Sequence, residues 1–310
     1  MYYNDFGSWI RKRFPDFRVQ KISIDAGFSC PNRDGRISSG GCTYCDNRTF
    51  NPSYCDRRKS ITEQLEEGKA FFSRKYPDMK YLAYFQAYTN TYAKVELLRQ
   101  MYEEALQVED VVGIVIGTRP DCVSDELLDY LEALNRRTFV LVEYGIESAN
   151  DETLKRINRG HDFACYQRTT RLARERGLKV CSHLIVGLPG EGQQHGLETL
   201  EKVVETGVDG IKLHPLHIVK GSIMAKAWQA GRLDGIELEA YTVTAGEMIR
   251  HTPPEVIYHR ISASARRPTL LAPLWCENRW TGMVELDRYL NEQGAQGSAL
   301  GRSWVAPQAE

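Results

Sequence analysis

Several things are scarce in this 310-residue sequence. Charge of one sign is the first: Lys and Arg number 40 against 41 Asp and Glu, a formal net charge of −1. A chain so balanced has no global pull on polyanions, so any nucleic-acid surface has to be local. Long apolar runs are the second. No segment is long and apolar enough to span a bilayer, and Met1 to Phe14 lacks the apolar stretch of a secretory signal. A cytoplasmic protein is expected, with no membrane contact, in which the eight cysteines are not paired as disulfides. No repeat of solenoid type is visible. Cysteine pairs are also scarce. Only Cys42 and Cys45 form a C-x2-C unit, whereas a structural zinc site usually draws on two such pairs.

What is present centres on Cys30-Pro-Asn-Arg-Asp-Gly-Arg-Ile-Ser-Ser-Gly-Gly-Cys42-Thr-Tyr-Cys45, a C-x11-C-x2-C pattern. A C-x2-C pair sets two thiolates on one side of a tight turn, and Gly40 and Gly41 let the backbone come close to a metal centre. The segment follows the alternation Val19 to Ile24, a predicted strand, so the cysteines lie on the loop leaving it. Three thiolates suit a [4Fe–4S] cluster whose remaining iron is left open for a substrate or cofactor. Zinc is the second reading: Cys55 completes a set of four, although C-x11-C-x2-C-x9-C is not a usual zinc spacing. Unconnected buried thiols are the third. The Gly, Asn, Arg and Ser around the cysteines speak against it.

The rest of the chain alternates. Ser60-Ile-Thr-Glu63 is a capping box opening a helix toward Lys75. Strands are predicted at Tyr81 to Gln86, Val111 to Thr118, Phe139 to Tyr144, Lys179 to Val186 and Ile211 to Leu216. Helices fall between them at Val95 to Gln107, after Ser124, at Asp151 to Ile157, at Phe163 to Arg176 and at Gly196 to Glu205. Near-continuous apolar strands separated by amphipathic helices predict a parallel sheet covered by helices. The expected fold is α/β, a partial (β/α)6 barrel, with a doubly wound sheet as the alternative. Barrel sites lie at the C-terminal ends of strands, where the cysteine loop falls. Residues 1–220 are read as this core. Residues 221–310 are read as an extension packed on it, with a helix at Glu237 to His251, a strand at Val256 to Ile261, a helix at Met283 to Glu292 and a mobile tail from Gly294. Four of the five tryptophans, Trp228, Trp275, Trp280 and Trp304, fall in this extension. Met1 to Gln20 is expected to be a short basic lead-in with a solvated helix face.

Taken together, the motifs resemble the radical S-adenosylmethionine (SAM) superfamily, in the branch related to the Elongator catalytic subunit. The resemblance covers nearly the whole chain. It is carried by Phe28-Ser-Cys-Pro-Asn-Arg-Asp-Gly35, Gly41-Cys-Thr-Tyr-Cys45, Glu143-Tyr-Gly-Ile-Glu-Ser148, Arg156-Ile-Asn-Arg-Gly-His161 and Leu184-Ile-Val-Gly-Leu-Pro-Gly-Glu191. It extends through His251-Thr-Pro-Pro-Glu-Val-Ile-Tyr-His-Arg-Ile-Ser-Ala-Ser-Ala265. It implies that Cys30, Cys42 and Cys45 ligate a [4Fe–4S] cluster whose open iron is chelated by SAM. An electron then cleaves the sulfonium and yields a 5′-deoxyadenosyl radical that abstracts hydrogen. By the same resemblance, Tyr44 lies against the adenine and Glu147 and Ser148 hold the ribose or the methionine end. Gly187 and Gly190 let backbone approach the base, and Leu213 and His214 flank it. Many members carry Gly-Gly-Glu after the second strand. This chain has Phe85-Gln86-Ala87 there, which leaves Gln86 as the candidate. The first cysteine spacing is longer than the common C-x3-C-x2-C, and the Elongator acetyltransferase domain has no counterpart in these residues.

A reductant such as flavodoxin or ferredoxin is an implied partner. The Elongator branch suggests tRNA as substrate. Arg156, Arg159, Arg168, Arg171, Arg174 and Arg176 form one dense group, and Arg260, Arg266, Arg267 and Arg279 stand near Trp275 and Trp280, as a base-stacking, phosphate-holding surface would need. The alternatives are a small-metabolite substrate or a non-catalytic, zinc-stapled RNA-binding module. Cys276, beside Trp275, is singled out as a further radical partner or auxiliary ligand.

Overall fold

The structure is a computed structural model, and it describes residues 1–46, 52–73 and 78–301. The expected helix end at Lys75 and Trp304 lie outside the described residues.

Strands β1 (Arg18–Ile24), β2 (Met79–Phe85), β3 (Val111–Thr118), β4 (Phe139–Glu147), β5 (Lys179–Val186) and β6 (Gly210–Pro215) pair side by side in sequence order, all parallel. The helices between them are α2 (Ile61–Ser73), α3 (Val95–Gln107), α4 (Asp125–Asn135), α5 (Asp151–Arg156), α6 (Phe163–Glu175) and α7 (Gln193–Glu205). The expected partial barrel is therefore present as a curled half-barrel. A seventh strand extends it: β8 (Ile257–Arg260) pairs parallel with β6. Residues 218–293 also supply β7 (Ile218–Val219), α8 (Ile223–Gln229), α9 (Leu238–Arg250), β9 (Leu270–Ala272) and α10 (Arg279–Gln293), with β7 and β9 paired antiparallel.

Period two along the strands gives the sheet two faces. Ile22, Ile24, Ile114, Ile116, Val140 and Val142 point outward into the main apolar core, against the helices. Leu82, Val115, Leu141 and Cys181 point inward near the strand starts, and a second, smaller core covers them.

That inner core corrects the reading of the first residues. Helix α1 (Phe6–Arg13) is not a solvated lead-in. Asp5 caps it, accepting from the Ser8 amide at 3.0 Å. Arg11, Lys12 and Arg13 do face solvent. The opposite side, Phe6, Trp9 and Ile10, plugs the barrel floor, and the Trp9 ring lies 6.0 Å from that of Phe139. The tail also departs from expectation. Residues 294–301 form turns that dock on the body, where the Gln296 amide donates to the Tyr2 carbonyl at 2.8 Å and Ala299 is buried.

Candidate functional site: a cysteine-walled cavity at the strand ends

The C-terminal strand ends open into a cavity of about 620 Å³. Cys30, Cys42 and Cys45 all line it. The loop that carries them is held from beneath. The Arg33 and Asp34 amides donate to the Cys30 carbonyl at 2.8 and 3.1 Å, and the Cys45 amide donates to that of Cys42 at 3.0 Å. From the turn after α5, Asn158 donates to the Gly41 carbonyl and the Ser38 hydroxyl, each at 2.9 Å. The Thr43 amide donates to the Ile157 carbonyl at 2.9 Å. Asn158 takes a positive φ of 53° to make this clamp. An asparagine tolerates that conformation better than most residues.

Nitrogen donors converge on the sulfurs. Asn32 Nδ2 stands 3.5 Å from Cys42 Sγ, Arg159 Nη1 stands 3.4 Å from it, and Arg33 Nη1 stands 3.8 Å from Cys45 Sγ. Burial, and then the neighbouring Cys42, push the Cys45 thiol up to about 12. A cationic centre would relieve that mutual repulsion. The spacing bears on which centre. Ligands about 2.3 Å from one zinc ion stand about 3.8 Å apart. Among the described residues the group of three ligand atoms mutually within 4.8 Å is Glu143, Cys181 and His259, not the three cysteines. The three thiols are thus not gathered as a ready site for a single ion. Cys55 is not a fourth ligand on this wall, since it is buried with Tyr54 and Ile61 in the outer core.

Beside the cysteines, the end of β4 is bent for a purpose the sequence shows only in retrospect. Glu147 has a φ of 71°, and the pairing of β4 with β5 shifts register between Gly145 and Glu147. A non-glycine residue in that region is strained and is commonly a functional feature. Gly145 makes the bend usable: a Cβ there would meet Glu147 Oε1 at 2.6 Å and Arg159 Nη2 at 2.7 Å. Arg159 lies 3.6 Å from Glu147 and also donates to the Gly145 carbonyl. Tyr44 lines the cavity with the Glu147 carboxylate, whose pKa burial pushes up against the pull of Arg159. Cys42, Arg159, Glu147 and Tyr44 therefore form one wall.

The floor is a buried ion cluster. Glu143 accepts from Lys21 at 2.9 Å, from Lys212 at 2.5 Å and from His183 at 3.0 Å. Burial works against its charge, but Lys21 and Lys212 hold its carboxyl well below the usual range. Burial pushes Lys212 down to about 8, against the pull of Glu143. With two ammonium groups on that carboxylate, the Glu143–Cys181–His259 group is a poor cation site.

Of the residues predicted from sequence, Cys30, Cys42, Cys45, Tyr44, Gln86, Glu147 and His214 come together on the cavity. Gln86 accepts from Ser23 Oγ at 2.9 Å. Ser148 turns away, donating to Glu191 Oε1 at 2.5 Å and accepting from the Asn150 amide at 3.0 Å. Leu213 points into the outer core. Gly187 lines a separate cavity of about 560 Å³ under Ile236, and a Cβ on Gly190 would strike Arg156 Nη1 at 2.7 Å. Cys276 packs with Ala265, Leu270 and Trp275 and does not reach the cavity. Of the first arginine group, Arg159 is in the cavity wall, while Arg171, Arg174 and Arg176 pair with Glu175, Asp209 and Asp129. Sequence reasoning named Arg159 only among the arginines grouped for RNA, quoted Glu143 only as the start of a motif, and missed Lys212 and His183 altogether. Single polar residues inside otherwise apolar strands were the available signal.

A curled parallel half-barrel with three cysteines on the loop after its first strand defines a class, and comparison with known proteins agrees. The chain belongs to the Radical SAM superfamily, whose family model matches residues 33–203, and a Radical SAM C-terminal domain matches residues 208–292. Members of this superfamily use a [4Fe–4S] cluster and SAM, and the chain is accordingly an enzyme. More particularly, it is 66% identical to Protein YhcC of Escherichia coli (strain K12) over 305 residues, 98% of this chain and 97% of that protein. It is 32% identical over 154 residues to the tRNA uridine(34) acetyltransferase of Dehalococcoides mccartyi, 48% of this chain and 33% of that protein. Among solved structures, the archaeal Methanocaldococcus infernus Elp3 with an N-terminal deletion matches with a TM-score of 0.61 at 17% identity, over 90% of this chain and 64% of that one. Among the described residues no helix is long and apolar enough to cross a membrane.

Proposed function

We propose that this enzyme holds a [4Fe–4S] cluster on Cys30, Cys42 and Cys45, cleaves SAM reductively beside it, and modifies tRNA. The observation that carries the reading is the convergence of three thiols and three nitrogen donors on one wall of a large cavity. When bound, cluster and SAM supply one-electron cleavage of a carbon–sulfur bond and hence a radical able to take hydrogen from a substrate. The chain's own residues do the rest. Asn32, Arg33 and Arg159 stabilise negative charge on the sulfurs. Glu147, fixed by Arg159, presents a carboxylate that can accept from an ammonium or a sugar hydroxyl. The plug of α1 and the ion cluster above it close the barrel floor and keep water from entering below. In this reading residues 1–220 supply the SAM chamber, and residues 221–310 wall its far side.

Anaerobic reconstitution tests the chemistry. A brown protein that forms 5′-deoxyadenosine from SAM under reduction by dithionite or flavodoxin is the expected result. A colourless protein holding one zinc ion refutes it. For the substrate, the partial likeness to a tRNA uridine acetyltransferase supports tRNA, and nucleosides of tRNA from cells with and without the protein should differ. A small-metabolite substrate is the second reading. Its support is that three of the six arginines first grouped for RNA are already paired with carboxylates, and that a cavity of about 620 Å³ suits a small ligand. Unchanged tRNA nucleosides would favour it.

A further inference from the structure

The two sides of the cavity differ in how their cations are matched. On the cysteine side each has a partner. Arg159 faces Glu147 at 3.6 Å, Arg119 pairs with Asp121 at 2.8 Å, and Arg33 donates to the Cys45 carbonyl at 3.3 Å. On the floor, Lys212 pairs with Glu143 at 2.5 Å. The far side is supplied by β8 and α10. There Arg260 and Arg279 line the same cavity and are exposed. Among the described residues neither guanidinium has a hydrogen bond or an ion pair; that of Arg279 lies over the Trp280 ring at 4.3 Å.

The carboxylate closest in the fold to Arg260, Glu143, is already held by Lys21 and Lys212. Arg260 sits next to Lys212 in the register of β6 and β8, and the residues that follow it, Ser262 to Ser264, line the same wall. His214 and His217 stand nearby on the cavity. Burial first, and Arg260 among the charges after it, depress both imidazoles, so they are neutral hydrogen-bonding groups near pH 7. An unmatched guanidinium in a concave site focuses positive potential. Its planar fork matches the geometry of a carboxylate or a phosphate.

We propose that Arg260, with Arg279 and the hydroxyls of Ser262 and Ser264, forms a subsite for an oxyanion carried by the substrate, a carboxylate or a phosphate. The inference rests on the reading of this cavity as the reaction chamber. It adds that the substrate enters with its anionic group toward β8, on the side of the cavity away from the cysteines.

Arginine modification by butanedione in borate, mapped by peptide mass, tests it on the reconstituted full chain. Inorganic phosphate and acetate serve as probes, each compared with chloride at equal ionic strength. Modification of Arg260 should slow about tenfold with at least one of them, the scale of one charge-assisted contact, while exposed Arg266 is unaffected. Protection by phosphate alone assigns a phosphate, and by acetate alone a carboxylate. Protection by both leaves the general oxyanion subsite standing. No protection, or equal slowing at Arg266, overturns the proposal. Equal protection by SAM alone also overturns it, because the anion would then be SAM's own carboxylate. In Arg279→Gln the protection at Arg260 should weaken, and unchanged protection would remove Arg279 from the subsite. The assay needs neither reduction nor turnover. Failure to form 5′-deoxyadenosine would sink the enzymatic reading without touching this result, and loss of protection would leave that reading intact.

Discussion

The outer face of the sheet buries only apolar and uncharged side chains against the helices, Ile22, Ile114, Val140 and Leu184 among them. The inner face of the same strands buries Glu143 between Lys21 and Lys212. Neighbouring positions on one strand thus obey opposite rules. A buried ion cluster gives little stability over well-packed apolar residues of the same volume. The inner face is therefore not explained by folding alone, whereas the outer face is. The difference separates what holds this protein together from what it presents to a ligand, and substitutions on each face should separate in the same way.

The largest expected effect is on the inner side. Cys42→Ala should abolish both the brown colour and SAM cleavage while leaving the far-ultraviolet circular dichroism unchanged, since the loop is also held by the Asn158 clamp. Full cleavage by the variant would remove Cys42 from the ligand set and blur the contrast between the faces.

Glu143→Leu comes next. It leaves Lys21 and Lys212 buried without their shared carboxylate. Removing one partner of a buried pair costs about 3–5 kcal/mol, read as a lower midpoint in urea. A double variant that also replaces Lys212 with Met should recover part of the loss. If Glu143→Leu were neutral, the inner face would be ordinary core after all.

How much of this was legible before the structure differs by face. The outer face was, because strands such as Val111–Thr118 read as apolar runs and Ser60-Ile-Thr-Glu63 as a helix start. The cysteine loop was legible because cysteines at this spacing have few roles. The inner face was not. A lone Glu143 or Lys212 within a strand gives no hint of its partner 69 residues away, and only the curl of the sheet brings them together. Helix α1 was misjudged because its three consecutive basic residues outweighed Phe6, Trp9 and Ile10 in the reading. The bend at Gly145 and Glu147 was invisible because positive φ on a glutamate has no sequence signature.

Acid should also distinguish the faces. His183 and His259 sit on the inner side near Glu143, Lys21, Lys212 and Arg260, and burial pushes them down to about 4 and about 3. In the unfolded chain they take protons near pH 6.5. Between those values the unfolded state binds more protons, so stability falls as pH drops through the window. By pH 5.5 the loss should be on the order of 1 kcal/mol for each histidine. His259→Phe should flatten the pH dependence of the melting temperature, and an unaltered slope would mean that His259 is not buried neutral.

The smallest effect belongs to the outer layer. Ser60 accepts from the Glu63 amide at 3.1 Å, and Glu63 accepts from the Ser60 amide at 2.7 Å, a reciprocal cap at the start of α2. That helix packs on β1, the strand from which the cysteine loop departs. Ser60→Ala should cost about 1 kcal/mol, the usual worth of such a cap, with cluster absorbance and SAM cleavage per folded molecule unchanged. Helix α2 touches the sheet only from outside, so a change at its cap can alter how much protein is folded but not the positions of Glu147, Arg159 or the cysteines. A fall in cleavage per folded molecule would show that the two faces are mechanically coupled through β1 and would undo the separation argued here.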